Sequence, residues 1–269
     1  MGDENRRTLE SVVLDTLGFY PSYLAAVDNY PEYASIAWTE TQQFLRAPDA
    51  IPTAKPLAES AISLVRPAVN NETHVTQLGE TLEFFSFVVF RLGIAITACR
   101  YALDGTRTCA AHASTTTATS GTRSELPAHT KQGISHTLPQ NPHITLHHPD
   151  DVSGRREALY RRIERELETP NINNIFRGLA AEPDLLEAVI DTQVAFTHRN
   201  PGVDAAIHRL FANALTQLQI DLPNHRVALR AHGYGNDDID VVAARIRAYQ
   251  QNLSTLVTTL LIADLLASK

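Results

Sequence analysis

The sequence predicts an all-α protein built from two tandem pseudo-repeats of one helical unit, packed as an intramolecular pseudo-dimer. Three observations support this prediction. Apolar residues recur with helical spacing along most of the chain, no stretch shows the apolar–polar alternation of a half-buried strand, and the two ends of the chain carry the same order of elements. The predicted units span residues 1–105 and 151–269, joined by a linker at residues 106–150.

The helices of the first unit are predicted from apolar spacing and from proline and glycine positions. Leu9, Val13 and Leu17 share one face of the first helix. Pro31 suits the first turn of a new helix, and Gly105 is a typical C-terminal cap. The predicted helices cover residues 9–17, 22–29, 31–45, 56–69 and 76–103.

The last of these helices is apolar enough to test for membrane insertion. Residues 84–103 are about long enough to span a bilayer. Arg91 lies inside this stretch, and a central arginine costs about 2.5 to 3.5 kcal/mol on insertion scales. We therefore predict a buried bundle helix, with Arg91 and Arg100 reaching an edge or a cavity, and no membrane partner.

The composition changes in residues 106–150, where serine, threonine, histidine and proline replace the apolar periodicity, so this segment is predicted to be a linker. Helices resume after Ser153, which is a good N-cap. The predicted helices of the second unit cover residues 155–167, 174–180, 183–196, 204–219, 227–231 and 236–266.

Charge and composition exclude several classes of function. The formal charge of −7 and the pI near 5.9 give no basic surface for nucleic acid. The first residues are polar and unlike a signal peptide, and two cysteines are too few for a disulfide scaffold, so we expect a cytoplasmic protein. No P-loop is present, and no cofactor is expected. The oligomeric state stays open, a homodimer included.

Histidines and cysteines offer two further alternatives. His143, His147 and His148 lie together but lack partners at metal-ligand spacing, which predicts a solvated linker and no metal. A thiol peroxidase would need Cys99 and Cys109 close together, whereas Cys99 in an apolar helix is typical of a buried small residue.

Several polar residues adjoin apolar elements. Residues 171–174 include three asparagines, and for these side chains helix capping is favoured over contact with a ligand. A solvated helix face is favoured for Asp191. Residues 249–252, which interrupt the final helix, fit either the edge of the core or the lining of a pocket.

The chain resembles the group I D,L-2-haloacid dehalogenases. The resemblance is carried by residues 30–38, by residues 174–180 with Pro183, and by residues 247–266. It implies an all-helical protein with two pseudo-repeats around a pocket. It also implies that an Asp activates a water, which displaces halide from a small 2-haloacid, with help from an Asn. General-base activation needs a carboxylate within hydrogen-bond reach of that water.

The positions that the resemblance assigns to this Asp and Asn are occupied by Ile175 and Val89. Neither side chain can accept a proton. The nearest polar candidates for a catalytic role are Asn174, Asp191 and Ser86.

Two functions follow as hypotheses. The resemblance implies a hydrolase acting on carbon–halide bonds of small organic acids. The missing carboxylate favours a non-catalytic pseudo-dimer that binds a small ligand or a protein partner. For either function the predicted pocket lies between the units and is lined by Phe19, Tyr20, Tyr23, Asn173, Asn174 and Phe176.

Overall fold

The computed structural model describes residues 2–46, 60–66, 77–105, 144–169, 171–218 and 220–267, and all regular structure in these ranges is helical. The all-α prediction is therefore confirmed. Residues 60–65 are helical, and Pro149–Asp151 form a 3₁₀ turn. The other helices are α1 (Gly2–Leu17), α2 (Ser22–Ala25), α3 (Pro31–Arg46), α4 (Gly79–Asp104), α5 (Arg155–Glu166), α6 (Asn174–Leu179), α7 (Pro183–Arg199), α8 (Val203–Gln217), α9 (His225–Ala231) and α10 (Asn236–Leu266).

Local sequence signals fix several helix ends. Helix α3 begins at Pro31, and α4 ends at Gly105, whose φ of 72° is left-handed and carries little cost for glycine. Ser153 was wrongly predicted as an N-cap, because Gly154 takes that position before α5. Cys109, His143 and the rest of residues 106–143 lie outside the described residues.

The two long helices, α4 and α10, form the centre of the fold. Helix α3 packs on α4 and also contacts α1 and α2. In the same way, α7 packs on α10 and carries α5 and α6, while α8 contacts both long helices. This matched arrangement is the one that a duplicated unit would give, and the duplication itself stays a prediction.

Polar side chains join α4 to α10 within an otherwise apolar seam. The Arg100 Nη1 donates to Gln250 Oε1 at 2.8 Å, and the Gln250 Nε2 donates to Thr97 Oγ1 at 3.3 Å. At the end of α4, the Arg247 Nη2 donates to Asp104 Oδ1 at 2.9 Å. Since later residues of α10 meet earlier residues of α4, the helices run antiparallel in one defined register.

Helix α4 is also long and apolar enough to cross a membrane, with a mean hydropathy of 1.8 over its most apolar stretch. The surrounding helices bury 83% of that stretch, as expected of a core helix. Arg91 does not reach an edge, contrary to expectation, and is only 3% exposed. Its guanidinium lies 3.6 Å from the centroid of the Phe87 ring, and its Nη1 donates to the Phe87 carbonyl oxygen at 2.8 Å. These contacts keep the charge inside the fold, although burial lowers the pKa of Arg91 to about 10.

Two titratable side chains are buried beside α3, away from the α4–α10 seam. The Cys99 thiol is free and completely buried, which raises its pKa and confirms the prediction of a buried residue. His225, the first residue of α9, is also completely buried, with its ring edge-on to Tyr33 at 5.7 Å between centroids. Among the described residues, neither ring nitrogen of His225 has a hydrogen-bond partner.

The closest approach of α4 to α8 depends on Gly93. A Cβ atom at this position would lie 2.3 Å from Cε1 of the buried Phe211 ring. We therefore expect Gly93→Ala to lower the free energy of unfolding by about 2 to 3 kcal/mol, measured by urea denaturation. Gly79→Ala is the matched control in the same helix, because a Cβ at that position meets nothing within 4 Å. It should be neutral or stabilising by about 0.5 to 1 kcal/mol, and equal losses in both variants would contradict the packing argument.

Candidate functional site

A cavity lies between α4 and α10 and is closed on one side by α6 and on another by the residues leading into α2. Its volume is about 40 Å³. We call it the inner cavity. Most of its walls are apolar, and its polar side chains are neutral. The described residues that line it are Phe19, Pro21, Ser22, Phe85, Val89, Leu92, Ile96, Asn173, Asn174, Ile175, Tyr249, Leu253 and Leu256.

The two long helices supply the walls with helical spacing. Phe85, Val89, Leu92 and Ile96 follow one another by three or four residues along one face of α4. Tyr249, Leu253 and Leu256 do the same on α10. Sequence reasoning missed most of these residues, because α4 is apolar all round and its spacing does not single out one face.

Asn173 and Asn174 form the polar side of the inner cavity. The Asn173 Oδ1 accepts from the backbone N–H groups of Ile175 at 3.0 Å and Phe176 at 3.5 Å, so Asn173 caps α6 as expected. The Asn174 Nδ2 donates to the Tyr20 carbonyl oxygen at 3.0 Å, and its Oδ1 accepts from Arg177 Nη1 at 3.1 Å. Asn174 therefore ties α6 to the first unit and has a fixed orientation.

Tyr249 provides the other polar group. Burial raises the pKa of Tyr249 to about 12, and a hydrogen-bond interaction with Ser22 acts in the opposite direction. The phenol is therefore protonated at neutral pH. It can donate a hydrogen bond, but it cannot act as a strong base.

A larger hollow of about 730 Å³ adjoins the inner cavity. We call it the vestibule. Both spaces share five lining residues, the throat residues, which are Ser22, Asn173, Asn174, Tyr249 and Leu256. The vestibule is much more polar than the inner cavity. Its other polar side chains include those of Tyr20, His148, Asp150, Glu164, Thr169, Asn171, Arg177, Arg245 and Asn252.

The predicted pocket residues separate into two groups. Phe19, Asn173 and Asn174 line the inner cavity, and Tyr20 lines the vestibule. Tyr23 and Phe176 instead lie in the core and are completely buried. The Tyr23 hydroxyl forms a hydrogen bond with Thr41, so this residue points away from the hollow that its neighbours line.

Of the predicted catalytic positions, some line the inner cavity and others lie outside it. Ile175 and Val89 both line the inner cavity, at 4% and 7% exposure. Asn174 lines it too, whereas Ser86 lies outside its described lining. Asp191 lies on the outer side of α7, 62% exposed, where its Oδ1 accepts from Arg162 Nη2 at 2.7 Å. That ion pair turns Asp191 away from the cavity.

The histidines of the linker give no metal-binding arrangement in the described part of the chain, where no three His, Cys, Asp or Glu side chains cluster. The His148 Nδ1 lies 3.4 Å from an oxygen of the exposed Asp150 carboxylate. The His147 N–H donates to the Arg177 carbonyl oxygen at 3.2 Å, so this end of the predicted linker packs against α6.

No protein-family model and no curated protein matches the chain. Solved structures do. A D-2-haloacid dehalogenase mutant in complex with D-2-CPA superposes with a TM-score of 0.72 and 18% identity, over 97% of this chain and 92% of that one. The chain has the D-2-haloacid dehalogenase fold.

Two further dehalogenase structures agree with this result. Another D-2-haloacid dehalogenase mutant gives a TM-score of 0.69 at 18% identity, and a complex with L-LA gives 0.66 at 19%. Each alignment covers 94% of this chain and 88% of the other. The all-helical fold expected from the resemblance is therefore confirmed.

Proposed function

We propose that the protein binds a small organic acid in the inner cavity and does not hydrolyse it. The observation that carries this proposal is that Ile175 and Val89 both face the inner cavity. The resemblance assigns a water-activating Asp and its assisting Asn to these positions. The hollow leaves space for a ligand, and the apolar side chains at these two positions supply no group that could activate a water.

The polar groups present support binding better than turnover. Asn173 and Asn174 have their side-chain oxygens engaged in hydrogen bonds within the protein, and Tyr249 is a phenol with a raised pKa. None of the three removes a proton from water at neutral pH. Losing a general base commonly costs about 10² to 10⁴ in rate.

Calorimetry and a halide assay on the same preparation test the proposal. A panel of small acids that includes both enantiomers of 2-chloropropionate should contain a ligand that stabilises the protein. At a hundredfold excess over Kd, binding adds about 2.7 kcal/mol, or about 5 to 10 °C in Tm for a chain of this size. Chloride release should stay at the level of heat-denatured protein. An absence of stabilisation by every acid would overturn the proposal.

The second candidate is hydrolysis of a 2-haloacid, and the fold of the neighbouring structures favours it. This second candidate includes the proposals that the protein is a group I enzyme and that it acts on both enantiomers. Saturable chloride release by the unmodified protein would establish turnover and replace the binding proposal. Asp191→Asn is an informative control in that case, because Asp191 is paired with Arg162 on the outer side of α7 and should not affect the rate.

A further inference from the structure

We infer that the ligand is an amphipathic carboxylic acid longer than a haloacid, with its apolar chain in the inner cavity and its carboxylate beside Arg177 in the vestibule. This inference rests on the proposed binding function and adds the class of ligand. It follows from the two joined spaces, which differ sharply in the chemistry of their walls.

Beyond the throat, the walls of the inner cavity are apolar and suit an apolar chain. Phe85, Val89, Leu92, Ile96 and Leu253 line the cavity and take no part in the vestibule. A two- or three-carbon acid that entered this space completely would place its charged group against these apolar walls. Burying an ionised carboxylate among apolar side chains is strongly unfavourable, so the charged end must lie on the other side of the throat.

Arg177 is the cation that we expect to bind the carboxylate of the ligand. Its Nη1 donates to the throat residue Asn174, which holds the guanidinium at the mouth of the inner cavity. Its Nε is buried and has no hydrogen-bond partner among the described residues. No carboxylate of the described residues forms an ion pair with Arg177, although most of the arginines around it on α5 are paired. A planar guanidinium without a carboxylate partner among the described residues is well suited to binding a carboxylate.

The other charges of the vestibule agree with this orientation. Arg245 also lines it, donating through Nη1 to the Ala26 carbonyl oxygen at 2.9 Å with its guanidinium 5.5 Å from the centroid of the Tyr30 ring. The acidic residues of the vestibule, Asp150 and Glu164, are exposed, and neither belongs to the throat. Arg177, which donates to the throat residue Asn174, therefore places a positive charge beside the throat.

A series of unbranched acids from propanoate to octanoate, with the corresponding primary amides, tests the inference by calorimetry. Each added methylene buried in the inner cavity should tighten binding about threefold to fourfold until the hollow is full. Arg177→Gln should weaken acid binding about 10- to 100-fold and leave amide binding nearly unchanged. Arg161→Gln removes the same charge from an exposed position on α5 and should change neither series.

The outcomes separate this inference from the binding proposal. Rising acid affinity with chain length, lost in Arg177→Gln alone, would support the inference. Acids that bind equally at every length, or acid binding unaffected by Arg177→Gln, would overturn it and leave the binding function standing. An absence of binding by all acids, haloacids included, would overturn both. Amide binding measured on Arg177→Gln shows that the variant is folded.

Discussion

Replacing Ile175 with Asp and Val89 with Asn together is expected to raise chloride release from 2-chloropropionate by about 10²-fold or more over the unmodified protein. The double variant restores the residue types that the resemblance assigns to these positions. Both positions already line the inner cavity. An Asp at position 175 would also lie in the first turn of α6, where the positive end of the helix dipole favours a carboxylate.

Ile175→Asn combined with Val89→Asn is the matched control. Asn has nearly the shape and polarity of Asp but cannot accept a proton at neutral pH. Chloride release should therefore rise only in the variant that carries Asp. Circular dichroism of both variants checks that the helices persist. Equal release by the two variants would show that a carboxylate at position 175 cannot reach a productive water, and that these positions are not the site of catalysis.

Acidification is expected to destabilise the protein through His225. Burial lowers the pKa of His225 to about 4, whereas a histidine in the unfolded chain titrates near 6.5. The neutral form is favoured in the folded state, so this contribution to stability is complete above pH 6.5. It is lost as pH falls from 6.5 to 4, at about 1.4 kcal/mol per pH unit, to a total of about 3 kcal/mol.

Urea denaturation of the unmodified protein and of His225→Leu at pH 7 and pH 5 measures this effect. The difference in unfolding free energy between the two proteins should change by about 2 kcal/mol in favour of the variant at pH 5. Other groups titrate equally in both proteins and cancel in the difference. His232→Leu, which removes an exposed histidine beyond the end of α9, should follow the unmodified protein. Parallel pH profiles for His225→Leu and the unmodified protein would contradict the argument.

The sequence predicted the fold well where local signals decide the structure. Pro31, Gly105 and Pro183 mark helix ends that the structure reproduces, because the geometry of a cap depends on a few neighbouring residues. Ser153 shows the limit of this reasoning. The helix begins at Arg155 as predicted, but Gly154, with a positive φ of 63°, takes the N-cap position in place of Ser153.

The site was predicted only in part, because it depends on the rotation and convergence of helices. Tyr20 and Tyr23 are three residues apart, yet one lines the vestibule and the other is sealed in the core. Arg177 and Arg245 are far apart in the chain and meet in one space only because α6 and α10 converge. The resemblance did point to positions 89 and 175 together, because in the family the residues at these two positions act in one pocket.

The polar contacts of Gln250 have a further consequence for how such a protein can change. A slip of one helical turn, about 5.4 Å, that moved Gln250 towards the N-terminus of α4 would place its carboxamide beside Gly93 and Ile96, which offer no hydrogen-bonding side chain. The dimensions of the hollow are therefore set by a contact outside it, since Gln250 is not part of its described lining. Substitutions at Val89, Ile96 or Leu253 can therefore change which ligand fits the inner cavity, while the spacing between α4 and α10 stays the same.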